Sequence, residues 1–158
     1  MIMVGRLFYK EAYMEIIDYL TKTNYKKKSG KKNKYIIIHY TANDGDTAWG
    51  NCHYFYEEYR GASANYFVDE KSIYRCVKDE DVAWGVNQTW NNQSIHIELC
   101  SRNTKSDKSG TYYFLGQTIE NAVWLTKYLM EKWNIPVQNV LRHYDCTRKI
   151  VPEANGRR

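Results

Sequence analysis

The apolar positions of this chain fall into short blocks whose spacing changes along the sequence. The run Tyr35-Ile36-Ile37-Ile38-His39 is continuously apolar up to its last residue and rich in β-branched side chains, which predicts a central strand buried on both faces. From about Thr47 to Tyr59, the residues Ala48, Cys52, Phe55, Tyr56 and Tyr59 follow helical spacing, and Gly61 is placed to end the helix. Two further strands are expected over Ala64 to Val68 and Ile73 to Val77, joined as a hairpin through Asp69-Glu70-Lys71-Ser72. Ser94 to Cys100 alternates: Ile95, Ile97 and Leu99 point one way, and His96 and Glu98 share the opposite face. A loop rich in Ser, Lys and Thr follows to about Gly116. The long helix from Thr118 to Trp133 then presents Ile119, Ala122, Val123, Leu129, Met130 and Trp133 on one side, closed by Asn134 and Pro136. A last short strand, Asn139 to Arg142, leads into His143. Strands alternating with helices predict a single α/β domain with a mixed sheet.

Upstream of this body the pattern is weaker. From Glu11 to Leu20 it allows an amphipathic helix or an irregular lead-in, and a lysine-rich stretch follows. The expected organisation is therefore a lead-in over residues 1–32 and a main domain over residues 33–158. Seven lysines crowd the stretch (Lys22, Lys26, Lys27, Lys28, Lys31, Lys32 and Lys34), and without them the net charge of +5 becomes slightly acidic. Such a block is read first as a solvated surface segment and second as an attraction for an anionic polymer, a field that does not select one polyanion. Nucleic acid is not the expected partner.

Composition narrows the class. With 43% apolar residues, 15 Tyr and 5 Trp in 158 residues, the chain can bury one core and is not a disordered polypeptide. Cys52, Cys76, Cys100 and Cys146 form no C-x-x-C pair and read as free, buried thiols. The first residues break their apolar positions with Arg6, Lys10, Glu11, Glu15 and Asp18, so neither a signal-peptide core nor a membrane span is expected.

Three polar residues stand where chemistry could occur. His39 ends a central strand, His143 follows a terminal strand, and Glu98 lies on a third. In open α/β sheets, side chains at the carboxyl ends of strands converge on the ligand crevice. Imidazoles with a nearby carboxylate are what a zinc hydrolase uses to hold metal and to take a proton from water.

The segments Tyr35-Ile-Ile-Ile-His39-Tyr-Thr-Ala-Asn43, Ser63-Ala-Asn-Tyr-Phe-Val-Asp69, Asn92-Gln-Ser-Ile-His-Ile-Glu98-Leu-Cys100 and Arg142-His143-Tyr-Asp-Cys-Thr-Arg-Lys149 resemble the successive motifs of the type-2 N-acetylmuramoyl-L-alanine amidases. That family includes phage and bacterial enzymes and the animal peptidoglycan recognition proteins. The resemblance runs from about residue 33 to residue 153. It implies a central sheet flanked by helices, a zinc ion held by His39 and His143, Glu98 as general base and Lys149 as support for the developing oxyanion. Thr41, Asn65 and Trp84 would contact substrate, Trp84 serving either the groove or the core. The implied partner is bacterial peptidoglycan, and the implied reaction cuts the amide between N-acetylmuramic acid and L-alanine. An enzyme of the phage-lysin type would be made in the cytoplasm of a bacterial host and act on the wall. Oligomeric state is left open.

The chain departs from the family at one ligand position. The third ligand of the family, Cys or Asp, comes two residues after the lysine, and here Lys149-Ile150-Val151-Pro152 puts a valine there. Valine has no donor atom. Three readings stay open: a working enzyme impaired by Val151, a ligand supplied instead by Cys146 or His96, and a module that binds peptidoglycan without cutting it. Asn65 and His96 also differ from the histidine and glycine common at those places.

Overall fold

The computed structural model describes residues 14–28 and 30–148. In chain order its elements are β1 (Ile16–Asp18), β2 (Tyr35–Tyr40), α1 (Ala48–Glu57), β3 (Tyr66–Val68), β4 (Ile73–Arg75), α2 (Gln88–Asn91), β5 (Ser94–Leu99), β6 (Arg102–Asn103), β7 (Tyr112–Tyr113), α3 (Gly116–Trp133), β8 (Val140–Arg142) and α4 (His143–Thr147). Six strands form one sheet in the order β1-β4-β3-β5-β2-β8. Strands β3, β5, β2 and β8 run parallel, β4 pairs antiparallel with β3, and β1 runs parallel to β4. This is a mixed α/β sheet with helices on both sides.

The period of two along the strands decides what each face carries. Ile36, Tyr66, Val68, Ile73, Ile95, Ile97 and Leu99 meet Ala122, Leu125 and Leu129 of α3 on one face. On the other, Phe67, Cys76 and Cys100 meet Ala48 and Cys52 of α1 and Ala64. His39, His96 and Glu98 project to the α1 side, because each is one residue out of step with the isoleucines that face α3. All four cysteines are free, three of them buried. The β3–β4 hairpin is closed by Asp69, whose Oδ1 accepts from the backbone N–H groups of Lys71 (2.8 Å) and Ser72 (2.7 Å) while Oδ2 accepts from Ala48 N (2.8 Å) at the start of α1. Asn134 ends α3 in the left-handed conformation (φ 52°), a position its short polar side chain tolerates.

Several local readings change. The stretch allowed to be helical upstream of Leu20 is extended from Ile16 to Asp18, where it covers the open edge of β4. The pairing continues through Tyr19 N to Arg75 O (3.0 Å) and Thr21 N to Cys76 O (2.9 Å). An uncovered edge leaves backbone groups without partners, and the adjacent Ile16 and Ile17 suit a strand. The part of that helical reading on residues 11–13 lies outside the described residues. Lys31 is not a solvated lysine: it is 6% exposed, and its Nζ donates to the carbonyls of Ser94 (2.7 Å), Asp81 (2.9 Å) and Asp79 (3.2 Å). Three converging acceptors repay its desolvation, although burial still pulls its pKa down to about 8. On α3 the buried stripe is Thr118, Asn121, Ala122, Leu125 and Leu129, while Ile119 and Val123 are each 47% exposed. The stripe is centred about one position away from the one read from apolar residues alone, because Asn121 turns inward to donate to Asp69 O (2.9 Å). Within the loop after Cys100, β6 and β7 form a small hairpin around Asn103, whose Oδ1 accepts from Lys105 N (2.9 Å) and Gly110 N (3.1 Å).

Candidate active site

Sheet register assembles the site. In the β2–β5 pair His39 stands opposite Glu98, and in the β2–β8 pair Ile38 stands opposite Arg142. The residue after Arg142 is therefore delivered beside His39, and that residue is His143. There the chain turns into α4, where Asp145 holds the entry by accepting from Arg142 N (2.9 Å), Nε (3.1 Å) and a terminal guanidinium nitrogen (2.8 Å). Trp90 steadies the far end of α4 by donating from Nε1 to Cys146 O (3.1 Å).

The two rings meet edge to face, with centroids 5.1 Å apart and Nδ1 of His143 at 3.1 Å from Nδ1 of His39. His39 is 7% exposed, and burial, with the neighbouring His143 adding to it, depresses its pKa to about 3. It is a neutral imidazole at any physiological pH. On the opposite side of its ring, Nε2 lies 3.0 Å from Nδ1 of His96, which is completely buried. Glu98 has one buried oxygen, Oε2, without a hydrogen-bond partner among the described residues. Enclosure pushes its pKa up to about 8, and the charge of Asp46 adds to the shift.

Glu98 faces a cavity of about 470 Å³, whose wall includes Tyr40, Thr41, Asn43, Asp46, Asn51 and Tyr54. Asp46 also has a buried oxygen, Oδ1, without a partner among the described residues. No local pattern marks Asp46, which sits just before the Thr47 cap of α1 and belongs to no periodic run. Of the residues expected to touch substrate, Thr41 lines this cavity. Asn65 is fully enclosed instead, with its amide donating to Lys78 O (3.1 Å) and its Oδ1 accepting from His96 N (2.9 Å), so it offers a ligand no surface. Trp84 is half-buried, with its ring edge-on to Tyr59 at 6.0 Å, and is not part of that wall. Lys149 and Val151 lie outside the described residues.

The imidazole pair can be tested against a metal. Two nitrogens bound tetrahedrally to one zinc at about 2.0–2.1 Å lie roughly 3.3–3.4 Å apart, and the Nδ1 separation here is 3.1 Å. Two imidazoles converging at that spacing fit two ligands of one ion. A third does not come from His96, which meets the other nitrogen of His39 and so lies on the far side of that ring from His143. Cys146, three residues after His143, is a partly buried free thiol whose pKa is pushed up to about 11 by burial and by Asp145. Among the described residues no group of three or more His, Cys, Asp or Glu side chains is placed to hold a metal.

Known proteins resemble this chain in sequence and in fold. A family model described as N-acetylmuramoyl-L-alanine amidase matches residues 29–154. The N-acetylmuramoyl-L-alanine amidase CwlL of Bacillus licheniformis is 27% identical over 158 residues, an alignment taking in 88% of this chain and 42% of that protein. The chain thus spans less than half the length of that relative. Among solved structures, the catalytic domain of XlyA superposes with a TM-score of 0.73 at 27% identity, covering 86% of this chain and 88% of that one. PlyL superposes with a TM-score of 0.69 at 29% identity, covering 86% and 85%. The matched stretch runs from within the lysine-rich segment past α4, and on that extent the chain belongs to the N-acetylmuramoyl-L-alanine amidase family.

Proposed function

We propose that the chain is a zinc-dependent peptidoglycan hydrolase of the endolysin type, which cuts the amide between the lactyl group of N-acetylmuramic acid and L-alanine. The observation that carries this reading is the 3.1 Å approach of two imidazole Nδ1 atoms beside a carboxylate that faces a cavity. Zinc, when bound, supplies Lewis acidity, polarising a carbonyl oxygen and bringing the ionisation of water from ~15.7 to about 7. His39 and His143 would hold it.

Glu98 would then act as the base. With Oε2 buried and without a partner among the described residues, and with its proton affinity raised by enclosure, it is suited to take a proton from the attacking water and return it to the departing amine of L-alanine. Thr41 and the polar wall of the cavity would orient the peptide stem. Lys149 would stand behind the oxygen on which negative charge develops. The partner on this reading is bacterial peptidoglycan, and the place of action is the cell wall. Among the described residues no helix is long and apolar enough to cross a membrane.

Val151 favours a second reading, a module of the same fold that binds peptidoglycan without hydrolysing it, since valine cannot complete the ligand set. One paired experiment separates the two. The protein, with and without zinc or chelator, is incubated with purified cell walls, and both wall-bound protein and newly exposed amino groups are measured. Release of L-alanine amino termini that chelator abolishes supports the hydrolase. Retention on the wall with no new amino termini, whatever the metal, supports the binding module.

A further inference from the structure

We infer that His96 is a positioning residue for the metal centre: it accepts a hydrogen bond from Nε2 of His39 and so leaves the Nδ1 lone pair of His39 pointing at His143. The inference rests on the proposal that His39 and His143 hold zinc, and adds to it how one of them is aimed.

The ring of His96 has an unusual seat. It is completely buried on β5, on the same sheet face as His39 and Glu98. Asn65 locks its backbone from both sides, with His96 N donating to Asn65 Oδ1 (2.9 Å) and Asn65 N donating to His96 O (3.0 Å). Gly85 makes room for it: a Cβ at that position would lie 2.6 Å from Nδ1 and 2.7 Å from Cγ of His96. Gly85 is not among the residues with positive φ, so the need for glycine there comes from the space the imidazole takes.

What the ring does in this seat is narrow. Its Nε2 is buried with no partner among the described residues, and its Nδ1 contact with His39 Nε2, at 3.0 Å, is its side-chain hydrogen bond. An apolar side chain would fill the same interior without leaving a polar atom unpaired, so packing alone gives no reason for a histidine. A neutral imidazole carries one proton. If His39 holds it on Nε2 and donates to His96, its Nδ1 is an acceptor facing the Nδ1 of His143, which is the form a metal requires. If His96 were the donor, His39 would carry its proton on Nδ1 and point it at the partner imidazole. Ligating histidines are commonly fixed in tautomer and orientation by a hydrogen bond at the other ring nitrogen. Here that partner is a second imidazole.

The test compares the full chain with His96→Leu and His96→Asn, side chains of similar size of which only Asn keeps an acceptor near the place of Nδ1. Zinc affinity is measured by competition with a chromophoric chelator, and folding by circular dichroism. The Leu variant is expected to bind zinc ~10–100-fold more weakly, with Asn staying within a few fold of the parent protein. A folded Leu variant that binds zinc as tightly as the parent, or an Asn variant as weak as Leu, overturns the assignment. The second measurement is ¹⁵N imidazole NMR of the metal-free parent protein, which needs neither a variant nor zinc. His39 protonated on Nε2 is the expected result, and a proton on Nδ1 overturns the role of His96. A parent protein that takes up no zinc overturns the metal-centre reading instead, and the NMR result still decides His96.

Discussion

Glu98 carries the most demanding chemistry assigned to a single side chain. Glu98→Gln keeps the shape and removes the base, so release of amino termini from cell walls should fall by ~10²–10⁴-fold while zinc uptake is retained; loss of both together would point to a structural role. The same carboxyl affects stability. Its folded pKa of about 8 lies above the ordinary glutamate value of 4.5, so the folded metal-free protein binds this proton more tightly than the unfolded chain does. Its contribution is therefore greatest below pH 4.5 and is lost as pH rises toward 8. His39 acts with the opposite sign, because its folded pKa of about 3 lies below 6.5, and stability from it is gained as pH rises across that window. Thermal unfolding of the metal-free protein over pH 4 to 9 should show the Glu98→Gln variant gaining on the parent as pH rises, and a constant difference would rule the assignment out. Much at this scale could be read from the chain. Three polar residues at strand ends, in motifs of a known kind, pointed to His39, Glu98 and His143. The alternation from Ser94 to Cys100 placed His96 on the face of Glu98 but could not tell which nitrogen of His39 it would meet. That depends on Gly85, on a different segment, and no local pattern connects the two.

Among the elements, those with a long clean period were legible and those fixed by side-chain ties were not. Strand β5 follows from spacing, and so does α3 as an element, although its buried face is turned from the one that spacing suggests. Strand β1 is three residues long and owes its form to the open edge of β4, while β6 and β7 are organised around the amide of Asn103. The segment between β1 and β2 is held in the same way. Asn24 is completely buried, donates to the carbonyls of Phe55 (2.6 Å) and Glu58 (2.6 Å) at the end of α1, and accepts from Arg60 N (2.7 Å). Asn24→Ala removes the partner of Glu58 O and Arg60 N, while Phe55 O keeps its bond from Thr21 Oγ1, and urea unfolding should show a loss of about 1–3 kcal/mol. Asp18→Ala, which removes the partner of Arg75 on the exposed edge, should cost no more than ~1 kcal/mol. The contrast separates buried amide ties from surface ion pairs, and equal losses would contradict it.

For the molecule as a whole, the decisive position is Val151. Supplying a thiolate there, as Val151→Cys, should raise zinc affinity by ~10-fold or more and increase zinc-dependent release of L-alanine termini. An unchanged affinity together with unchanged hydrolysis would count against the hydrolase reading. The wider lesson lies at the start of the chain, where β1, Asn24 and Lys31 join the sheet edge, the end of α1 and the carbonyls around Asp79. Anyone transplanting this domain into another protein would be tempted to cut at the first recognisable motif, near Asn33. Such a graft would arrive with a raw sheet margin ready to stick to its neighbours, so the exchange has to carry the sequence from Met14 onward.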